Sequence, residues 1–222
     1  MMKMNRRDFS TQLGLSALTL GSASAFAQGG FQAGKEYLRL GQTLPTTAGK
    51  IEVIEFFWYG CPHCFAFEPQ MDAWIKALPA DVSFRHMHVG FRENLKPHQR
   101  TYFALESLGR EQEFRAAIFN AVHRGGMALD DAKSMTDFLS KQGLDPAKFQ
   151  AAYNSFGVQN KCLQADKLSE GYRLDGVPSL GIAGRFFTSP SMAGARLPES
   201  ESGRRALAVT DFLIQQVRSG KA

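Results

Sequence analysis

A chain of 222 residues with 44% hydrophobic residues and a formal net charge of +5 is long enough for one sizeable core and too weakly basic for a nucleic-acid footprint. No stretch has the ~20 consecutive apolar residues of a membrane-spanning helix, and no segment repeats at a fixed period. Nucleic-acid binding, membrane integration and a solenoid are therefore set aside.

Residues 1–27 read as a secretory signal peptide, with a basic start (Lys3, Arg6, Arg7), a modest apolar run from Leu13 to Leu20, and Ala25-Phe26-Ala27 as the cleavage site. Asn5-Arg6-Arg7-Asp8-Phe9 partly matches a twin-arginine signal, so the general secretory and twin-arginine routes both stay open. Cleavage near Ala27 removes three cations and one anion, leaving the mature chain at +3. The expected location is outside the cytoplasm, where thiols oxidise unless held otherwise.

Residues 28–222 form the mature protein. Tyr37 to Leu40 suits a short edge strand, closed by the turn at Leu44-Pro45-Thr46. Ile51 to Phe57 is dense in β-branched and aromatic residues, as in a central strand covered on both faces, with Glu55 interrupting the apolar run. A helix follows from Pro62, with Phe65, Met71, Trp74, Ile75 and Leu78 at helical spacing and a kink expected at Pro69. Val82 to Val89 alternates as a second strand, completing a βαβ unit.

From about 94 to 160 the pattern is helical throughout, which reads as an all-helical insertion. Tyr102, Leu105 and Leu108 mark one helix, and Phe114, Ile118 and Val122 another. A third is expected from Asp130, as cap, to Gln142; a fourth opens at Asp145-Pro146 and carries Phe149, Ala152, Tyr153 and Phe156 on one face, with Gly157 as its stop. A further helix bears Val158, Cys162, Ala165, Leu168 and Tyr172, and Asp175-Gly176-Val177-Pro178-Ser179 ends it. Leu180–Ile182 and Arg185–Thr188 form a hairpin around Ala183-Gly184, and an amphipathic helix ends near Val217. The order is β-βαβ, helices, α-ββα.

The chemistry concentrates at Cys61-Pro62-His63-Cys64. Cys61 falls where unpaired backbone N–H groups and the helix dipole favour negative charge, and Pro62 at the first helical position loses nothing by lacking its N–H. His63 adds positive charge or a donor. These effects lower the thiol pKa of Cys61, making it the attacking sulfur and a good leaving group, with Cys64 one turn in as the buried resolving thiol. Stabilising the thiolate favours the reduced form, so the Cys61–Cys64 disulfide is an oxidant. A structural disulfide across two residues closes a tiny loop and stabilises little. Zinc would want four ligands, and His86, His88, His98 and His123 have no such spacing with the cysteines, so no metal and no other cofactor is expected.

Glu55 through Cys64, together with Phe65, Glu68 and Gly176-Val177-Pro178, resembles the DsbA family of periplasmic thiol:disulfide oxidoreductases over essentially the whole mature chain. The resemblance implies an α/β thioredoxin fold with an inserted all-helical domain, acting as a monomer. It implies that the disulfide is donated to unfolded exported proteins with free thiols, and that a DsbB-like, quinone-linked partner in the inner membrane restores it. Val177-Pro178 matches the family's cis-proline loop, which faces the cysteines and pairs with the substrate backbone; the residues alone show only a turn before a strand. Glu55 matches a buried acid beneath the cysteines, where it would share a proton with water or a Lys-type partner and assist Cys64; its other reading is a solvated edge glutamate. Cys162 is outside this pattern, either a buried small hydrophobe or an exposed regulatory thiol.

Three competing functions share these residues. A disulfide isomerase or reductase on the same fold usually carries an N-terminal dimerisation domain, for which there is no room before Ile51. A glutathione-linked small-molecule isomerase would need neither both cysteines nor an export signal. A chaperone-like binding module would leave the cysteines incidental; of Phe57, Trp58 and Tyr59 some are expected in the core and one or two along an apolar groove for unfolded chains.

Overall fold

The computed structural model describes residues 30–221, so the signal segment and its cleavage site lie outside the described residues. Five strands form one mixed sheet: β1 (Leu38–Arg39), β2 (Ile51–Phe57), β3 (Val82–His88), β4 (Ser179–Ile182) and β5 (Phe186–Thr188), in spatial order β1-β5-β4-β2-β3. β2 pairs in parallel with β3 and antiparallel with β4, so the strand that leads to the cysteines has a neighbour on each side. The parallel pair needs a crossover, and helix α1 (Pro62–Lys76) supplies it.

Every residue of β2 after Ile51 is buried, Glu52 and Glu55 included. Successive side chains leave the sheet on opposite faces. Phe56 packs against Tyr172, with ring centres 5.1 Å apart, whereas Phe57 meets Tyr59, Tyr102 and Phe119. One apolar cluster joins Val53, Phe67, Met71, Leu180, Ile182, Leu213 and Ile214, between α1, the sheet and the last helix. The other runs from Ile54 and Phe57 into the helices that follow β3.

Those helices are α2 (Lys96–Ser107), α3 (Glu111–His123), α4 (Ala132–Lys141), α5 (Pro146–Tyr153) and α6 (Phe156–Gly171). A short 3-10 turn, Glu93–Leu95, leads into α2. α7 (Pro190–Ala193) and α8 (Glu199–Arg218) close the chain. The thioredoxin-like α/β sheet with added helices expected from the resemblance is what the chain forms.

Local chemistry accounts for the boundaries, with two corrections. α4 is capped by Asp131, whose carboxylate accepts from the N–H groups of Lys133 and Ser134, one residue later than expected. Phe156 and Gly157 do not end α5. Asp145 caps that helix, which stops at Tyr153; Ser155 then caps α6, leaving Phe156 in its first turn and exposed. Because Ser155 Oγ accepts from the Val158 N–H, the chain restarts a helix where apolar spacing alone suggested one continuous face. α1 runs through Pro69 to Lys76 without ending.

Candidate active site

β2 ends at Phe57, and four residues turn the chain into α1 at Pro62. Three histidines hold that turn. The Tyr59 N–H donates to His88 Nε2 (3.2 Å), whose Nδ1–H donates to the Val89 carbonyl. Trp58 Nε1–H donates to His98 Nδ1 (3.0 Å), and His98 Nε2–H donates to the Ala128 carbonyl. His123 Nε2–H reaches the Tyr59 carbonyl at 2.8 Å, while its ring stacks on Phe65. Burial depresses the pKa of His88 and His98, which keeps both rings neutral and able to accept one bond while donating another. Gly60 is required here because a Cβ would come within 2.3 Å of the Trp58 indole.

Cys61 is the N-cap of α1, in extended backbone conformation, and its sulfur accepts from the Cys64 N–H at 3.4 Å. The cap acceptor of the helix is therefore the reactive atom, and a thiolate fills that position better than a thiol. The Cys61 S–H points at the carbonyl oxygen of Val177, 3.4 Å away, and the Val177–Pro178 peptide is cis. Both cysteines are free thiols. Cys61 is the accessible member of the pair, though narrowly, with 5% of its surface exposed against none for Cys64.

The two thiols are pushed in opposite directions. A hydrogen bond from Cys64 holds the Cys61 thiol down at about 7 against the cost of burial, helped by the backbone N–H groups of Cys64 and His63 and by the charge of His63. Burial pushes the Cys64 thiol well above its ordinary value, and the neighbouring Cys61 and Glu55 charges add to that. His63 is exposed, and its Nδ1 lies 2.5 Å from Glu199 Oε1 at the start of α8. That hydrogen bond raises the His63 pKa and keeps the ring charged over a wider pH range. Beside His63 opens a cleft of about 360 Å³, walled by Phe67, Val177, Pro178, Leu197 and Gly203.

Glu55 is wholly buried, which removes the edge-glutamate reading. The parallel register sets it opposite His86, whose Nδ1 lies 2.6 Å from Glu55 Oε2. Its cationic partner is Arg115 of α3 rather than a lysine, with Nη2 donating to the same oxygen at 3.3 Å. Arg115 also makes a two-pronged contact with Glu68, from Nη2 at 2.6 Å and Nε at 2.8 Å, and Nη1 donates to Glu111 at 3.2 Å. The guanidinium lies 4.0 Å from the centre of the Phe57 ring. Burial raises Glu55 to about 7, with Arg115 opposing and Glu111 and Asp72 reinforcing the rise. Burial likewise holds His86 down at about 4, so its contact with Glu55 is a hydrogen bond from a neutral ring.

Arg115 and the three anchoring histidines escaped the sequence reading. The histidines have no short-range spacing, and Arg115 sits in an ordinary amphipathic helix. The one available signal was Glu55 itself, since a buried carboxyl in a central strand calls for a distant cation. Cys162 is half-buried beside Arg100 and Asp166 rather than fully buried, and burial raises its thiol to about 11. Among the described residues no group of three or more His, Cys, Asp or Glu side chains is placed to hold a metal ion.

A paired-thiol centre at a strand-to-helix turn, faced by a cis-proline loop on a thioredoxin-type sheet, defines a dithiol–disulfide exchange protein. Residues 52–197 match the family model of the DSBA-like thioredoxin domain. The chain is 39% identical to the thiol:disulfide interchange protein DsbA of Burkholderia cepacia, covering 92% of this chain and 95% of that protein. It is 38% identical to that of Azotobacter vinelandii, covering 94% and 95%. The crystal structure of Pseudomonas aeruginosa DsbA superposes with a TM-score of 0.80 at 37% identity, over 86% of this chain and 96% of that one. DsbA from Xylella fastidiosa gives 0.76 at 27% identity, over 85% and 98%. The chain belongs to the DsbA family and is a thiol:disulfide oxidoreductase.

Proposed function

We propose that this protein donates its Cys61–Cys64 disulfide to newly exported proteins in the periplasm, with Cys61 as the sulfur that exchanges and Cys64 as the one that resolves. The observation that carries the reading is the split between the two thiols: Cys61 held down at about 7 at the helix start, Cys64 pushed up and closed off. A substrate thiolate attacks Cys61 Sγ, the Cys61–Cys64 bond breaks, and Cys64 leaves with the electron pair and takes up a proton. A second substrate thiolate then attacks its own sulfur in the mixed disulfide, and Cys61 leaves as a thiolate. The substrate loses two electrons and gains a disulfide, and the protein ends as the dithiol.

Leaving-group quality favours this direction, because the lower the pKa of Cys61 the more readily it departs. The cis Val177–Pro178 segment offers the Val177 carbonyl beside Cys61 as a partner for an extended substrate backbone, and the cleft beside His63 receives a neighbouring apolar side chain. Glu55, buried beneath the pair, exchanges a proton with Cys64. Reoxidation falls to a DsbB-like, quinone-linked membrane partner that removes the two electrons. Export supports the periplasmic assignment through the signal segment, and among the described residues no helix is long and apolar enough to cross a membrane.

The test is the redox equilibrium of the mature protein with glutathione, together with stoichiometric oxidation of a reduced dithiol peptide. An oxidant transfers its disulfide completely and equilibrates at a potential well above that of a reducing thioredoxin. A strongly reducing potential would instead make the protein a reductase on the same fold.

A further inference from the structure

One guanidinium serves three carboxyl groups from three different parts of the chain. Glu55 comes from the central strand, Glu68 from α1 and Glu111 from α3, and all three accept from Arg115. Tyr59, in the turn before the cysteines, donates its hydroxyl to the same Glu111 oxygen at 2.8 Å. Only 7% of the Arg115 side chain is exposed, and its flat face lies on Phe57 and Phe119. Glu55 Oε2 thus takes two donors, His86 and Arg115, whereas Oε1 is buried without a hydrogen-bond partner among the described residues. A buried carboxyl oxygen with no partner is expensive as part of an anion and is relieved by carrying a proton.

We propose that Arg115 is a positioning residue for disulfide exchange, whose fork on Glu55, Glu68 and Glu111 keeps Glu55 able both to hold a proton on Oε1 and to release it to Cys64. When the Cys61–Cys64 bond breaks, Cys64 leaves as a thiolate, and the proton it binds comes from the Glu55 carboxyl. The carboxylate that remains is then compensated by the guanidinium at 3.3 Å. Without that charge the buried carboxyl would keep its proton; without the surrounding acids it would give the proton up too early.

Every ionisable group facing Glu55 enters the balance. His86 on β3 is a neutral donor; Arg115 on α3 favours the anion; Glu111 on α3, Glu68 and Asp72 on α1, and the Cys64 sulfur oppose it. An arginine is suited to this because it stays charged when buried and because its fork fixes two carboxyl groups at once. A structural tie between α3 and the sheet would account for the contacts equally well, so the test must read protonation rather than folding. The proposal rests on the assignment of Glu55 as the proton carrier.

The experiment follows oxidation of a fluorescent dithiol peptide by the mature, oxidised protein from about pH 5 to 9, with the Cys61 thiolate followed separately by ultraviolet absorbance. The wild-type rate is expected to show an inflection near 7 that Glu55→Gln removes. Arg115→Gln should move that inflection up by about one to three pH units, and Arg115→Lys should bring it back towards the wild-type position. Glu111→Gln, which keeps the arginine and is the milder change, should move it down. Opposite shifts from two residues in contact, with the Cys61 titration unmoved, establish the role. An inflection that stays in place in Glu111→Gln, or in a folded Arg115→Gln, overturns it even if stability falls. An inflection that survives Glu55→Gln overturns the proton-carrier assignment as well, so the two failures are told apart.

Discussion

The sulfur of Cys61 lies 3.4 Å from the carbonyl oxygen of Val177, across 116 positions of sequence. The contact seats the proline loop against the Cys61 sulfur, and on the proposed reading the Val177 carbonyl, released when Cys61 loses its S–H, is the acceptor that a docking substrate chain meets. Replacing Pro178 with threonine alters the wall of this opening and should slow release of the mixed disulfide. Non-reducing gels of the variant with a peptide substrate should show the covalent complex accumulating, while the wild type clears it.

The pair itself makes a sharp prediction. Cys61→Ala should abolish peptide oxidation, and Cys64→Ala should leave Cys61 able to form a mixed disulfide with the disulfide-linked dimer of a single-cysteine peptide, an adduct that holds neither Cys64 nor a second peptide thiol to resolve it. Mass spectrometry of each variant after incubation with oxidised peptide distinguishes the two: no adduct in the first, a persistent adduct in the second.

Titration of the Cys61 thiolate should have its midpoint at about 7. His63→Leu removes a favourable charge, and Glu199→Gln removes the hydrogen bond that keeps His63 charged, so both should raise that midpoint. The shift should stay below about one pH unit, because the His63–Glu199 pair is solvent-exposed and screened. A higher thiolate pKa lowers the oxidising power of the disulfide. Ultraviolet thiolate absorbance against pH, with the glutathione equilibrium, checks both consequences.

Glu55 should make folding weaker as pH rises. Its folded pKa of about 7 lies above the ordinary value of 4.5, so the native state binds more protons than the unfolded chain between those limits. Stability is therefore highest below 4.5 as far as this group is concerned, and it falls as pH climbs through 7. The full swing is on the order of 3 kcal/mol. Glu55→Gln should flatten that part of the profile, which denaturant unfolding at a series of pH values measures directly.

Cys162 should be the slow thiol. At neutral pH Cys61, at about 7, is substantially ionised, whereas Cys162, at about 11 and half-buried, is almost wholly protonated. Alkylation of the reduced protein should label Cys61 faster by roughly one to two orders of magnitude, since its larger thiolate fraction outweighs the greater intrinsic nucleophilicity of a less acidic thiol. Site-resolved mass spectrometry over time gives the ratio; comparable rates would make Cys162 a reactive site after all.

Much of this molecule is written locally. The strand Ile51–Phe57, the helix start at Cys61-Pro62, the caps Asp145 and Ser155, and the turn at Gly176-Val177-Pro178 depend on propensity, capping and spacing within a few residues. Short-range rules suffice for these, except where two helices abut, as at Phe156, and one apolar stripe runs across the break. The reactive pair was legible for the same reason: both thiols and the helix end that tunes them lie within four positions.

What the tertiary structure alone decided is who meets Glu55 and who holds the turn. Arg115 stands 60 positions from Glu55, and His88, His98 and His123 reach residues 58 and 59 from β3, α2 and α3. Burial of a carboxyl demands a cation and burial of a backbone N–H demands an acceptor, but neither demand names its partner. The partner is chosen by strand register and helix packing, which place His86 opposite Glu55 and lay α3 across Phe57. That is why the paired thiols could be read from one decapeptide and the partners of Glu55 only from the fold.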